Sequence, residues 1–224
     1  MSPKKEEAIK VQPKERKTTS GLIRDKSRTM ARMVAAVGKV LQKKGYAGLD
    51  APSIAKAAGV DKKLVWTYFG GLDNLVEEYI SKRDFWKSIS KEEIKKITET
   101  PELINQNDIN NILQGLLETL LKDKVLQKII HWELGETSKT LRKIADKREE
   151  MGEGLFSIID KQFENSNVDI RANLALLIGG IYYLTLHGKN NGSFFCGIDI
   201  NEDKGKERIS KAIKDILHRS YEYI

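Results

Sequence analysis

The residues of this chain best suited to molecular recognition lie between Asp61 and Gly70, in the run Lys62-Lys63-Leu64-Val65-Trp66-Thr67-Tyr68-Phe69. On a helix, Val65 and Phe69 share one side, which leaves Lys62, Lys63, Leu64, Trp66, Thr67 and Tyr68 to line a groove. That outward set makes contacts rather than covalent bonds. Lysines reach guanine acceptors or phosphates, a threonine hydroxyl bonds to either, and a leucine packs on a thymine methyl. Trp66 and Tyr68 are placed to bond backbone phosphates, which position a protein on duplex DNA without specifying its sequence. No arginine occurs in the run, so bidentate guanine reading gives way to lysine, apolar and shape readout. Ser53 and Lys56, just upstream, complete the candidate DNA-contacting set.

Nothing else in the sequence has the spacing of a catalytic or metal centre. His131, His187 and His218 are far apart, with no HxxxH or HxxE spacing, so no metal is expected. Gly-rich phosphate loops, Ser or Cys nucleophile motifs and paired-carboxylate signatures are absent, and neither an enzyme nor a cofactor is expected. Glu133 and Glu136 beside His131 and Trp132 read either as a polar spot in a ligand cavity or as solvated carboxylates at a helix end. Tyr182, Tyr183 and His187 lie on an apolar helix, where hydroxyls recognise a ligand or the rings simply fill a core; Trp132, Phe156 and Phe163 pose the same choice. The candidate pocket residues are therefore Trp132, His131, Phe156, Tyr182 and Tyr183. Cys196 has no cationic neighbour in sequence to lower its pKa and reads as a buried, inert thiol.

The elements that must present the Lys62–Phe69 run are short helices. Met33, Val34, Val37, Val40 and Leu41 fall on one helix face, and Gly45 follows the basic pair Lys43-Lys44 where a stop is expected. A second helix starts after the cap Asp50, tolerates Pro52 in its first turn and ends at Gly59. A third runs from Asp61 through Phe69, and Gly70-Gly71 separates it from a fourth carrying Leu72, Leu75, Val76 and Tyr79. Packing the second and third helices steeply needs a small residue at the crossing and a glycine in the turn; Ala55 and Gly59 supply them, with Ile54, Ala58, Val60 and Val65 as apolar contacts. Residues 51–70 thus read as a helix-turn-helix, with Ile54, Val65 and Phe69 inward against helix one. Further helices are expected near 87–98, 108–121, 123–134, 137–165, 169–188 and 203–222, with a partly buried loop or short turn over 190–201 and no convincing strand.

The fold class expected is all-α: an N-terminal three-helix helix-turn-helix domain plus a helical C-terminal domain. The boundaries are a flexible basic arm over 1–27, the DNA-binding domain over 28–74 with helix four (about 72–86) as connector, and a C-terminal domain over 75–224. Charge agrees with that division. The net charge is +7, yet residues 1–86 hold 18 Lys and Arg against 10 Asp and Glu, and residues 87–224 hold 21 against 22. Excess positive charge on one module fits a polyanionic partner, although lysine-rich solvated faces are common. The single cysteine excludes an intrachain disulfide framework, and the start MSPKKEEAIK lacks the apolar stretch of a secretory signal. The longest apolar run, Leu174 to Leu186, falls short of the roughly 20 residues of a membrane span, so no membrane partner and a cytoplasmic location are expected.

Over residues 28 to about 80 the chain resembles the TetR family of bacterial transcriptional regulators. The resemblance is carried by Gly45-Tyr46, Ile54-Ala55, Ala58-Gly59-Val60, the run Val65-Trp66-Thr67-Tyr68-Phe69, and Leu75. It implies that the third helix enters the major groove. Members usually have Tyr where this chain has Trp66 and His where it has Tyr68, both phosphate-contacting, so the roles carry over with altered donors. Many also have a cation at the position of Leu72, and here that contact is missing.

The remaining residues resemble the family only in being helical. By that likeness the last two long helices, 169–188 and 203–222, pair with their counterparts in a homodimer, and a cavity among the middle helices accepts a small hydrophobic or amphipathic effector. Leu174, Leu177, Ile181, Leu184, Ile213 and Leu217 are the expected interface stripe, with Gly179-Gly180 allowing close approach; the same residues serve equally well as intrachain core. The resulting expectation is a homodimeric repressor on a palindromic operator of double-stranded DNA, released by a small molecule. The alternative is a helical protein-interaction adaptor with auxiliary DNA binding.

Overall fold

The computed structural model describes residues 19–88, 99, 104–192 and 194–222. Helix α1 spans Thr19–Lys44 and buries Met33, Val34, Val37, Val40 and Leu41, the stripe predicted from spacing. It begins at Thr19 rather than near residue 28, so the part of the expected arm that is described is helical. The rest of the arm lies outside the described residues, as does nearly all of the helix expected over 87–98.

Gly45 takes a left-handed φ of 70° and a 3₁₀ turn, Tyr46–Gly48, redirects the chain. Helix α2, Ala51–Ala58, starts on Asp50, whose carboxylate accepts the Ser53 amide at 2.6 Å, and stops at Gly59, φ 65°. Helix α3, Lys63–Phe69, follows a short turn in which Asp61 accepts the Lys63 amide at 2.7 Å, doing the capping work expected of it. Helix α4 covers Leu72–Arg83 and α5 covers Phe85–Ser88.

Five more helices follow, the first four with a side-chain cap: α6 (Gln106–Lys122) on a reciprocal Asn105–Asp108 capping box, α7 (Lys124–Gly135) on Asp123, α8 (Lys139–Phe163) on Ser138, α9 (Ile170–Asn191) on Asp169, and α10 (Asp203–Tyr221). The segment between α9 and α10 is a tight turn closed by a Phe195–Ile198 bridge. Among the described residues no helix is long and apolar enough to cross a membrane.

Two apolar cores result, and they share walls. The first holds α1, α2, Val65 of α3 and the Leu75-Val76-Tyr79-Ile80 face of α4, together with Val125 and Ile129 of α7 and Leu141 and Ile144 of α8. The second gathers α6, α9 and α10 around Leu126 and Ile130 of α7 and Ile159 and Phe163 of α8. Helix α7 is therefore buried on two sides, and α8 begins in one core and ends in the other. The helix-turn-helix unit does not close on itself; its core extends beyond residue 74 into the C-terminal half.

Helices α1 and α4 cross where Gly38 faces Tyr79, closely enough that a Cβ on Gly38 would sit 2.3 Å from the Tyr79 hydroxyl oxygen. Tyr79 is itself buried and cannot swing away. Replacing Gly38 by Val overpacks this crossing and is expected to cost about 1–3 kcal/mol, read as a fall of several degrees in Tm. An unchanged Tm would mean that the two helices have room to separate.

Candidate nucleic-acid interface

Helix α3 is held by one side and free on the other. Val65 is fully buried, whereas Lys62, Lys63, Thr67 and Trp66 are exposed, Trp66 by 55%. An exposed tryptophan on a short helix flanked by lysines is what a groove-reading surface requires and what a free-standing fold does not. Lys56 of α2 is exposed on the same unit. Leu64, Tyr68 and Phe69 are half-buried against the first core, so Leu64 and Tyr68 offer edges rather than whole side chains. The Thr67 hydroxyl donates to the Lys63 carbonyl at 3.1 Å and exchanges that bond for any contact outside the helix. Ser53 is tied into the α2 cap, its hydroxyl donating to Asp50 and accepting from the Lys44 ammonium, each at 3.0 Å. That bonding to Ser53, through the backbone amide first, holds the Asp50 carboxyl below the usual carboxylate range.

Helix α1 fixes the orientation of this pair. The Arg32 guanidinium donates to the carbonyls of Ala58 and Gly59, so a cation neutralises the C-terminal end of α2 where the chain turns toward α3. Lys26 lies over the Tyr68 ring, its ammonium 5.3 Å from the centroid. The first turns of α1 thus run beside the end of α3 and bring a cation to its exposed edge. Sequence reasoning missed this because residues 19–27 carry no apolar stripe.

Behind the helix-turn-helix, a cavity of about 590 Å³ opens among α5, α6, α7, α8 and α9. Its wall is mainly aliphatic and aromatic, with Glu133, Arg148, Glu149, Ser157 and Tyr182 as polar exceptions. Arg148 of α8 bonds Asp84, the residue that terminates α4, through Nε at 2.6 Å, and Glu133 of α7 through Nη1 at 2.6 and 2.9 Å. Asp84 is 2% exposed and the Arg148 side chain 12%. Burial works against the Arg148 charge, but the two carboxylates more than offset it and raise its pKa. Asp84 also accepts the Trp86 amide at 3.0 Å, and the Trp86 indole donates to the Tyr182 hydroxyl at 3.1 Å. Burial pushes the Tyr182 phenol up. One connected polar path therefore runs from the end of α4 to the cavity wall. A second tie joins α4 to α8: Glu77 accepts from Lys143 at 2.7 Å and Lys147 at 2.6 Å, bonds that lower its pKa.

The family model described as "Bacterial regulatory proteins, tetR family" matches residues 34–79, the segment from α1 through α4. The HTH-type transcriptional regulator BetI of Vibrio vulnificus is 27% identical over 158 residues, which cover 67% of this chain and 77% of that protein. The fold is shared with FadR of Bacillus subtilis, solved with stearoyl-CoA (TM-score 0.56, 18% identity, 84% of this chain and 96% of that one). It is shared as well with NalD of Pseudomonas aeruginosa, the secondary repressor of the MexAB-OprM multidrug efflux pump (TM-score 0.61, 16% identity, 88% and 96%). Residues 34–79 thus match the helix-turn-helix segment of TetR-family transcriptional regulators, and most of the chain shares the fold of the two solved regulators. Among the described residues no group of three His, Cys, Asp or Glu is arranged to hold a metal ion.

Several sequence expectations for this regulator are corrected. Of the five pocket candidates, Phe156 and Tyr182 line the cavity. Trp132 points the other way, stacked on Tyr46 at 5.7 Å and packed on the first core, and His131 is exposed. Tyr183, one position along α9 from Tyr182, faces outward and is 51% exposed. Glu133 is on the cavity wall, while Glu136 accepts the Tyr46 hydroxyl at 2.8 Å. Leu174, Leu177, Ile181, Ile213 and Leu217 are buried within the chain, and Leu184 is half-buried against the same core, so this stripe serves as intrachain core. Phe163 is core as well, edge-on to Tyr221. Cys196, expected to be buried, is exposed at the tip of the α9–α10 turn with φ 49°.

Removing Arg148 leaves the buried Asp84 carboxylate without its cation and the partly buried Glu133 without its partner. Arg148→Ala is therefore expected to cost about 3–5 kcal/mol, measured from the urea midpoint at constant m-value. A loss of about 1 kcal/mol or less, the range of an exposed pair, would mean that Asp84 and Glu133 reach water without it.

Proposed function

We propose that this protein is a homodimeric repressor that places two copies of α3 in successive major grooves of a two-fold symmetric operator and leaves it when a small molecule fills the cavity. The observation that carries this reading is the exposed Lys62-Lys63-Trp66-Thr67 surface on a helix whose opposite side is locked into a core. Exposed cations supply affinity for phosphates, and the protruding helix supplies access to base edges.

Dimerisation is supported by an apolar face on the outside of the last two long helices. Leu176 is 76% exposed, and Ala172, Gly179 and Tyr183 share its side of α9; Ala212 and Ile216 are exposed on α10. A Cβ added to Gly179 would meet nothing within 4 Å, so that face is open to a second backbone. Single exposed apolar residues are ordinary, and it is their recurrence along one side of α9, with two more on α10, that supports an interface here. Binding two successive major grooves requires α3 and its copy about 34 Å apart, one turn of B-DNA, related by a two-fold axis.

The effector reading rests on the cavity and on its connection to α4. A ligand shifts the operator-binding equilibrium by its differential affinity for the two arrangements. Here the wall residue Arg148 also holds the end of α4, which packs on α1 and α3. The structural neighbour FadR was solved holding stearoyl-CoA, and NalD is named a repressor; both match the kind of protein proposed.

Selection from random duplexes is expected to return a two-fold symmetric site. On that site Lys63→Ala should weaken binding by about 1–3 kcal/mol and change base preference, while Trp66→Ala should weaken all sequences alike. Equal, sequence-independent losses for both would remove the base-reading role of Lys63. Leu176→Asp, which puts a charge at the centre of the outer apolar face, should give a folded monomer by sedimentation with at least tenfold weaker operator binding. A dimer that survives this change would place the interface elsewhere.

A further inference from the structure

Charge is unevenly distributed over the cavity wall. Of its described lining residues, Arg148 is the single cation, and Glu133 and Glu149 are the anions. Asp84 lies directly behind Arg148 and is almost wholly buried. The guanidinium is committed to Asp84 through Nε and to Glu133 through Nη1. Counted together, Arg148, its two partners Asp84 and Glu133, and the lining Glu149 carry a formal net charge of −2. The Glu133 side chain is 22% exposed and Glu149 is exposed at the rim, so both carboxylates remain within reach of an incoming group.

The rest of the wall is apolar or aromatic. Trp86, Phe156 and Tyr182 present ring surfaces, and Ile112, Leu155 and Ile178 are among the aliphatic residues around them. Aromatic faces attract cations through the ring quadrupole, and Phe156 already carries the Arg171 guanidinium 5.1 Å from its centroid. An anionic head finds only the Nη2 edge of Arg148 without a carboxylate partner and would sit beside carboxylates that already outnumber this one cation. A cationic head meets Glu133 and Glu149 directly, while its apolar body fills the aliphatic part of a cavity of ordinary ligand size.

We infer that the cavity takes lipophilic cations: molecules with one ammonium-type head and an apolar body, the head held between Glu133, Glu149 and the Trp86–Tyr182 rings. This deepens the effector reading above and rests on it. Binding draws Glu133 toward the ligand and away from Arg148, which leaves Arg148 to Asp84 alone and connects occupancy to the end of α4.

The test uses the full chain and three probes of matched tail length, each below its micellar concentration: decyltrimethylammonium, decanoate and uncharged decanol. Titration calorimetry is expected to give the ammonium an affinity about tenfold or more above that of decanoate. Glu149→Gln, at the exposed rim where folding is not at stake, should reduce ammonium affinity several-fold and leave decanol unaffected. Glu133→Gln should do the same more strongly. Decanoate binding as tightly as the ammonium, or ammonium affinity unchanged by both Glu149→Gln and Glu133→Gln, would overturn the charge assignment. If decanoate or decanol binds best and releases operator DNA, the charge inference fails and the effector reading stands. If none of the three binds and operator affinity is unchanged in their presence, the inference fails and the effector reading loses its support with it.

Discussion

A helix-turn-helix whose second and third helices are only two turns long encloses too little apolar surface to be rigid by itself, and in this protein the deficit is met from outside. Val125 and Ile129 of α7 and Leu141 and Ile144 of α8 complete the core that α1, α2 and α4 begin. Each is almost fully buried, and burying a side chain of this kind contributes roughly 1.5–3 kcal/mol. Pulling the reading unit away from α7 and α8 exposes all four together. The orientation of α3 is therefore a property of the whole chain and not of residues 28–74 alone.

The charged contacts along the same seam have a different role. Glu77 with Lys143 and Lys147, and Asp84 with Arg148, tie α4 to successive turns of α8. Pairs with exposed lysines add little net stability, and even the buried Arg148 pairs mostly recover the cost of taking charges out of water. What they supply is register. Apolar contacts tolerate small sliding, whereas a guanidinium bonded to two carboxylates on different helices has one arrangement that satisfies all three. The apolar core holds α4 to α8 and the ion pairs decide where along α8 it is held.

Much of this was legible in the sequence because its signals are local. Asp50, Gly59 and Gly70 perform at their positions the capping and left-handed turns that their residue types imply, and the 3.6-residue spacing of Met33 to Leu41 gave the buried face of α1 directly. The start of α1 was not legible, since residues 19–27 have no apolar face and continue as helix by propagation from the packed turns after them. The two faces of α9 could not be told apart for the opposite reason: Leu174, Leu177 and Ile181 form one apolar side and Leu176 with Tyr183 another, and periodicity alone does not say which meets α6. Trp132 and Glu133 are neighbours in sequence on a helix buried on two sides, so one joins the first core and the other the cavity. Arg148 sits in a run of charges, Lys143 to Glu150, that reads as solvated surface. Only the approach of Asp84 and Glu133, 64 and 15 residues away, makes it a buried ion.

The position of the cavity relative to the two cores bears on how occupancy is felt at α3. Its aliphatic wall is built from residues of the second core, including Ile109, Leu113, Ile159 and Leu174, while the Arg148 side of its wall is fastened to α4 and so to the first. Helix α8 runs through both, anchored at Leu141 and Ile144 near its start and at Ile159 and Phe163 near its end. Between those anchors lie Arg148 and the weakly packed stretch Met151 to Gly154, where Met151 is 42% exposed and a Cβ on Gly154 would meet nothing within 4 Å. A helix fixed at both ends and loosely packed in the middle yields where the cavity touches it. Under the proposed effector reading, close-packed cores deform little, and the Arg148–Asp84 bond is the route by which a shift at the cavity wall reaches the end of α4.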